Sequence, residues 1–364
     1  MSTPTFDASP FADASHRPPT SQPQIEALSF SGRGGEYFRI WIVNLLLTIV
    51  TLGIYSAWAK VRRTRYFYDN TSVAGSSFEY HGNPIAILKG RIIAVVMIAA
   101  YNIAFRISPI VGLITMAILL AVMPWLIWKS YQFKLYNSSY RGIRFGFRGS
   151  VGQSYLNYLL LPILSGLSLG LLAPLVHQRT KKYLHSESKF GATHFSFNAG
   201  VGAFYKTYLL SFGIALLGYI VIFALFGSTL VVLFSDLKHG GSAVFGSIGL
   251  MMFSLYAWTF FIVPLFLTMI QNLIWSGTKL GEHQFHSKMK WSKMTFIMIT
   301  NLIGIALTLG LFTPFAHIRA MKYRIESIDL TTSGSLDHFL ADAEAQGSAA
   351  SEGMADLLDF DLSL

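Results

Sequence analysis

The sequence predicts a mainly α-helical, polytopic membrane protein. It reads as an internal repeat of broken or re-entrant helical hairpins, with transmembrane helix pairs between them and short cytoplasmic β-strands. Three observations predict this. Of 364 residues, 52% are hydrophobic and only 13% charged, where a soluble chain carries about 25% charged residues, and mean hydropathy is +0.48. Apolar runs long enough to approach or cross a hydrocarbon core of about 30 Å recur along the chain. Three of those runs also match one another at fixed offsets. The absence of cysteine removes disulfides, thiolate catalysis and cysteine-based metal sites.

Charge divides the chain into three parts. Residues 1–27 hold Asp7, Asp13, Glu26 and Arg17, with five prolines and many small polar residues, and are expected to be a disordered tail. No basic segment followed by an apolar stretch marks a cleavable signal, so the first membrane segment is expected to direct insertion. Residues 28–330 are expected to be one integral membrane domain. Its basic part, 28–324, has 27 Lys and Arg against six acids. Residues 331–364 are expected to be an acidic disordered tail, with a nascent amphipathic stretch at Met354–Leu364. The bases flank apolar runs and no base-reading motif accompanies them, so they report membrane orientation and no nucleic-acid partner is expected.

Four runs read as ordinary spans: Ile92–Ser108, Ile110–Trp128, Tyr208–Phe226 and Ala243–Phe266. Three others, Phe38–Ala59, Tyr155–Val176 and Met294–Ala316, each carry a mid-run glycine and end on a basic cluster. Aligned on Gly53, Gly170 and Gly310, they share a preceding Leu (Leu52, Leu169, Leu309). Before it stands a hydroxyl residue (Thr51, Ser168, Thr308). Nine positions after the glycine comes arginine each time (Arg62, Arg179, Arg319); then follow a base (Arg65, Lys182, Lys322) and a tyrosine (Tyr66, Tyr183, Tyr323). The repeat cores are 30–82, 147–200 and 285–324.

Short alternating segments flank these runs: Leu28–Phe30, Gly75–Tyr80, Gly142–Phe147, Gly191–Phe197 and, more weakly, Gly281–Phe285. Lipid does not tolerate isolated strands, so they are expected in water or at the interface, paired into a small sheet.

Charge parity sets the topology. Single crossings by all seven runs would put Lys60–Arg65 and Arg179–Lys182 on opposite sides. If each repeated run instead turns at its Leu-Gly and returns, every basic cluster falls inside and only Arg106 and Lys238 lie outside. Glycine supplies the turn, and Pro174 and Pro314 interrupt the helix soon after; the first copy has Ala57 there.

The repeated bases and tyrosines (Arg62, Arg65, Arg179, Lys182, Arg319, Lys322, Tyr66, Tyr183, Tyr323) are the candidates for binding anionic lipid headgroups or a small anionic solute. The plainer reading, and the favoured one, is that they are interfacial anchors with an aromatic belt. His177 and His317 share a position that Lys60 fills in the first copy, so no symmetric metal site is expected; the remaining histidines lack ligand spacing. Asn44, Asn157 and Asn301 suit a polar cavity or, more commonly, interhelical hydrogen bonds. Gly32, Gly34 and Gly35 lack the strand and lysine of a phosphate loop. No proton-relay acids, paired carboxylates or nucleophile motif appear, so neither enzyme activity nor a cofactor is expected.

The run Phe30-Ser-Gly-Arg-Gly-Gly-Glu-Tyr-Phe38, the run Thr51-Leu-Gly-Ile-Tyr-Ser-Ala-Trp-Ala-Lys-Val-Arg-Arg-Thr-Arg-Tyr66 and Gly75–Tyr80 resemble the YjgN-like family, which carries a domain of unknown function, DUF898. The similarity covers residues 28–330. It implies a bacterial inner-membrane, multi-pass protein and brings no established activity. The expected function is binding or transport of anionic lipid or small anionic solutes. The alternative is a non-transporting scaffold that binds a cytoplasmic partner through its strands and acidic tail.

Overall fold

The computed structural model describes residues 24–235 and 242–333. The proposed tail segments before Gln24 and after Ser333, the Met354–Leu364 stretch and Lys238 lie outside the described residues. The structured body begins earlier and ends later than residues 28–330, because Gln24–Ala27 (β1) pairs with Ile328–Thr332.

Helices and strands alternate in a fixed order. After β1 come Ser29–Phe30 (β2), then helices Gly34–Val50 (α1) and Ser56–Asp69 (α2), then Thr71–Val73 (β3) and Ser76–Tyr80 (β4). Pro84–Ile107 (α3) and Pro109–Tyr136 (α4) follow, then Ser138–Tyr140 (β5) and Ile143–Phe147 (β6). The next excursion is Val151–Tyr155 (α5), a π-helical turn at Leu156–Leu160, Leu161–Leu167 (α6) and Ala173–Ser186 (α7), returning to Ser188–Phe190 (β7) and Thr193–Phe197 (β8). Two long helices, Val201–Ser235 (α8) and Ser242–Ser276 (α9), lead to Thr278–Leu280 (β9) and His283–Ser287 (β10). Trp291–Leu307 (α10), Thr313–Ile325 (α11) and Ile328–Thr332 (β11) complete the order.

The strands do not form the small sheet expected. All eleven pair antiparallel in the order β1-β11-β10-β9-β8-β7-β6-β5-β4-β3-β2. Since β1 and β2 are separated only by Leu28, whose N–H donates to the Ile328 carbonyl at 3.1 Å, the sheet closes on itself. Closure removes the unpaired edges that open sheets must protect. At one end the strands join by tight turns, two with both central residues at positive φ (Ala74-Gly75 and Arg141-Gly142), the geometry that matches strand twist. At the other end every connection is a helical excursion. Alternation along the strands fills the interior with Phe78, Phe145, Phe195 and Phe285, whose successive ring centroids lie 6.3, 6.4 and 6.4 Å apart. Val73, Tyr140, Ile143, Phe190, Leu280 and Leu330 complete this core. Glu79, Arg144, His194 and His286 face outward.

Four helices are long and apolar enough to cross a membrane: α3, α4, α8 and α9. Asn83 and Ser108 cap α3 and α4, each accepting a hydrogen bond from an amide two residues on, with proline at the first helical position. The other three excursions are short hairpins. Their first legs end alike: Leu52, Leu169 and Leu309 have φ of 50°, 51° and 48°, and Gly53, Gly170 and Gly310 follow at 92°, 85° and 95°. Each glycine N–H reaches back to a carbonyl five residues earlier (Thr48, Ser165, Ile305) at 2.7–2.8 Å, closing a Schellman-type end. The hydroxyl residue has a function as well. Thr51 Oγ1, Ser168 Oγ and Thr308 Oγ1 accept from the amides of Tyr55, Leu172 and Phe312, starting the second leg. Pro174 and Pro314 therefore sit in the first turn of a new helix rather than breaking an old one, and Ala57 serves as well there.

The five excursions pack in a ring: α2 on α3, α4 on α5, α7 on α8, α9 on α10, and α11 on α1. Arg63 of α2 meets His317 of α11 across the last junction, above a cluster of Phe30, Tyr37, Phe67 and Ile318.

Candidate functional site

The repeated tyrosines close the short hairpins at their base. Tyr66 Oη accepts from the Arg33 amide at 2.8 Å and donates to the Arg33 carbonyl at 3.0 Å. Tyr323 Oη accepts from the Lys290 amide at 2.6 Å and donates to its carbonyl at 3.1 Å. Tyr183 Oη donates to the Ser150 carbonyl at 3.0 Å. Arg33, Ser150 and Lys290 are the residues that precede each first leg. The end of each hairpin is thus tied to its start, through hydroxyls engaged with backbone.

The repeated bases divide. Arg319 reaches across its hairpin, donating to Asn301 Oδ1 at 2.8 Å and Thr300 Oγ1 at 2.9 Å, while Asn301 Nδ2 holds the Ala316 carbonyl at 3.0 Å. Arg62 stands at the same offset but is exposed, and the Oδ1 of buried Asn44 has no partner. Arg179 and Lys182 are exposed. Arg65 Nε donates to the Tyr80 carbonyl at 3.3 Å, and Lys322 pairs with Glu326 at 3.7 Å. Gly53, Gly170 and Gly310 lie at the hairpin tips, away from these bases. The nine residues therefore do not form one pocket: the tyrosines and Arg319 bind the protein's own backbone and amides, and Arg62, Arg179 and Lys182 point outward. Among the described residues no group of three or more His, Asp and Glu could hold a metal ion.

A cationic cluster that the repeat offsets do not reveal lies between the first short hairpin and the α3–α4 pair. Lys60 of α2 has its pKa lowered, first by desolvation and then by Arg91 of α3 and Lys134 of α4. Arg91 also donates to Ser56 Oγ at the start of α2. Three cations from three helices thus converge, and none of them forms an ion pair among the described residues. The sequence held one signal for this site: Arg91 and Lys134 are bases placed inside the ends of otherwise apolar helices.

The family model for bacterial proteins of unknown function (DUF898) matches residues 25–357. The inner membrane protein YjgN of Salmonella typhimurium is 24% identical over 353 residues, covering 85% of this chain and 89% of that protein. The proteins of the same name from Escherichia coli O157:H7 and K12 are 32% identical over 165 residues and 33% over 147 residues. They cover 44% and 39% of this chain, and 39% and 36% of their own lengths. No solved structure matches. With four helices of spanning length and relatives named as inner membrane proteins, this is a multi-pass protein of the inner membrane. The family model runs through the whole sheet and all five helical excursions, and the chain belongs to the DUF898 family.

Proposed function

We propose that the protein binds an anionic ligand, an anionic lipid headgroup or a small anionic solute, at the cationic ends of its helical excursions, without catalysing a reaction. The observation that carries this reading is the convergence of Lys60, Arg91 and Lys134 with no carboxylate partner among the described residues. Like charges within electrostatic reach of one another repel, and a bound anion offsets that cost. Exposed Arg62, Arg179 and Lys182 add to the same field, which matches the inner leaflet's negative surface potential if the sheet is cytoplasmic. On this reading the three short hairpins are copies of one unit and enter the membrane without crossing it. The common tip geometry and the common tyrosine tie support that. The legs also fit: α1 and α10 have 17 residues each, about 25 Å, against roughly 50 Å for α8 and α9 with 35 each.

The scaffold alternative must use the outer face of the sheet or the acidic tail. A closed sheet offers a partner no free edge for strand addition.

The test is thermal unfolding in nanodiscs of phosphatidylcholine with and without phosphatidylglycerol, and in detergent against soluble anions at fixed ionic strength. Anionic lipid or a soluble anion should raise Tm in the parent, and K60Q/K134Q should lose most of the rise. A parent indifferent to every anion tested defeats the proposal.

A further inference from the structure

The residue seven positions after each tip glycine is Lys60 in α2, His177 in α7 and His317 in α11. In the two later copies it makes a side-chain contact with a neighbouring excursion. His177 Nδ1 lies 2.9 Å from Tyr208 Oη of α8. Arg63 Nη2 of α2 lies 3.0 Å from His317 Nε2 and 3.4 Å from its Nδ1. The two contacts differ chemically. A phenol hydroxyl both donates and accepts, so it serves an imidazole or an imidazolium equally. A guanidinium has only donors and keeps its charge, so the His317 nitrogen that faces it offers a lone pair. The His317 ring is therefore neutral in this arrangement.

Protonating His317 turns this contact from attraction into repulsion. The imidazolium has no lone pair left to accept with, and two cations then stand 3.0 Å apart. The surroundings do not offset the second charge. From α1, Tyr37 meets the His317 ring edge-on at 6.2 Å; it is buried, and burial raises its pKa, so the phenol stays uncharged. From α2, Phe67 lies 5.6 Å from the ring, and Arg63 is the charged group that acts on it. The charged residue of α10, Lys293, sits over the Tyr323 ring at 4.8 Å, and Thr300 and Asn301 are engaged with Arg319. Glu36 of α1 accepts from Tyr66 Oη at 3.4 Å and pairs with neither Arg63 nor His317 among the described residues. Burial first and Arg63 second lower the His317 pKa, in keeping with a ring held neutral.

We infer that Arg63 and His317 form a pH-sensitive clasp between the first and third short hairpins: neutral His317 holds α2 to α11, and its protonation releases them. The pairing of β1 with β11 ties the two ends beneath this junction, so release separates the helices and leaves the sheet closed. His177, at the same repeat position, keeps its contact on protonation because the Tyr208 hydroxyl accepts from an imidazolium. The clasp does not depend on the anionic-ligand reading.

The experiment uses the full chain in nanodiscs. Because the sequence has no cysteine, L52C/L309C places spin labels at the exposed tips of the two hairpins, and pulsed dipolar spectroscopy reads their separation. Between about pH 8 and about pH 5, across the ordinary imidazole range, the parent should pass reversibly from one short distance to a longer one, with its midpoint below about 6.5. H317Q keeps an acceptor that does not titrate and should stay closed throughout. H317K installs the first copy's residue and carries its charge at every pH. At about pH 8 its ratio of open to closed should exceed the parent's by about tenfold or more, the consequence of losing one charge-assisted hydrogen bond. R63Q removes the opposing cation and should abolish the pH response, so the test stands if a His317 variant folds poorly. H177Q should respond as the parent does. A pH response that survives in H317Q or R63Q, an H317K that keeps the parent's closed distance, or a parent with one distance down to about pH 5 overturns the clasp.

Discussion

Replacing Tyr323 by phenylalanine tests whether the repeated tyrosines tie the hairpins together or serve a ligand. The substitution removes one hydroxyl, and with it two hydrogen bonds: the one accepted from the Lys290 amide at 2.6 Å and the one donated to the Lys290 carbonyl at 3.1 Å. Each is worth about 1 kcal/mol net, so opening of the α10–α11 base should become easier by about 2 kcal/mol, or roughly 30-fold. Tyr66→Phe removes the same pair of bonds at Arg33 and should cost a similar amount. Tyr183→Phe removes a single bond to the Ser150 carbonyl and should cost about half as much. Hydrogen exchange resolved to the segments around Arg33, Ser150 and Lys290 reads this directly. The Lys290 and Arg33 amides lose their acceptor in the first two variants, whereas the Ser150 amide was never bonded to its tyrosine. Equal exchange rates in Y323F and parent would refute the tie. So would a Y323F that folds with parental stability but no longer responds to anions, because the hydroxyl would then belong to the ligand.

Three further outcomes follow. R319Q should destabilise by about 2–3 kcal/mol, since it strands Asn301 Oδ1 and Thr300, while R62Q, exposed and at the same offset, should stay within about 0.5 kcal/mol; equal losses in denaturant melts would show that the two arginines are equivalent after all. Single cysteines at Tyr68, Ser186 and Glu326 should resist an impermeant thiol reagent on intact cells. Glu326 is chosen over Ser327, which is buried and bonded to Tyr323. Spin labels at Leu52, Leu169 and Leu309 should collide more with oxygen than with a water-soluble nickel chelate, and the reverse order, or outside labelling of any of the three cysteines, contradicts the re-entrant topology. Burial, and secondarily Lys181, lowers the His185 pKa to about 4 from about 6.5 when unfolded. The unfolded chain therefore binds more protons between those values, and stability should rise with pH across that window and fall on acidification. His185 contributes at most about 3 kcal/mol to that change, and H185Q should flatten the slope by that share; an unchanged slope shows that His185 is not neutral in the fold.

The spans were legible because hydropathy and length decide them: all four apolar runs became helices, extended by polar turns at each end that a hydropathy reading truncates. The turn at Leu-Gly was legible from its glycine, though not the share taken by the leucine. A leucine at φ near +50° costs about 1 kcal/mol, and Leu52, Leu169 and Leu309 are 94–95% exposed. Such a display is costly in water and favourable in lipid. The extent of the sheet was hidden because β3, β5, β7 and β9 have three residues each, too few to show alternation, and closure depends on pairing between residues some 300 positions apart. The Lys60, Arg91 and Lys134 cluster was hidden for the same reason, since no single segment contains it.

The closed sheet supplies a second argument for topology, independent of charge. Each of the five helical excursions leaves one strand and returns to its neighbour at the same end. All ten helix–strand junctions are therefore on one side of whatever the helices enter. The outer face of the sheet carries Glu79, Arg144, His194 and His286, groups that hydrocarbon does not accept, so the sheet stands in water. An excursion can then reach the far side only by crossing and crossing back, and each such pair needs two helices of spanning length. Only α3–α4 and α8–α9 qualify among the described helices. On the re-entrant reading proposed above, the short hairpins turn within the membrane, and their tips of exposed leucine suit that placement. The arginines, lysines and tyrosines at their bases are then held at one level by the sheet itself.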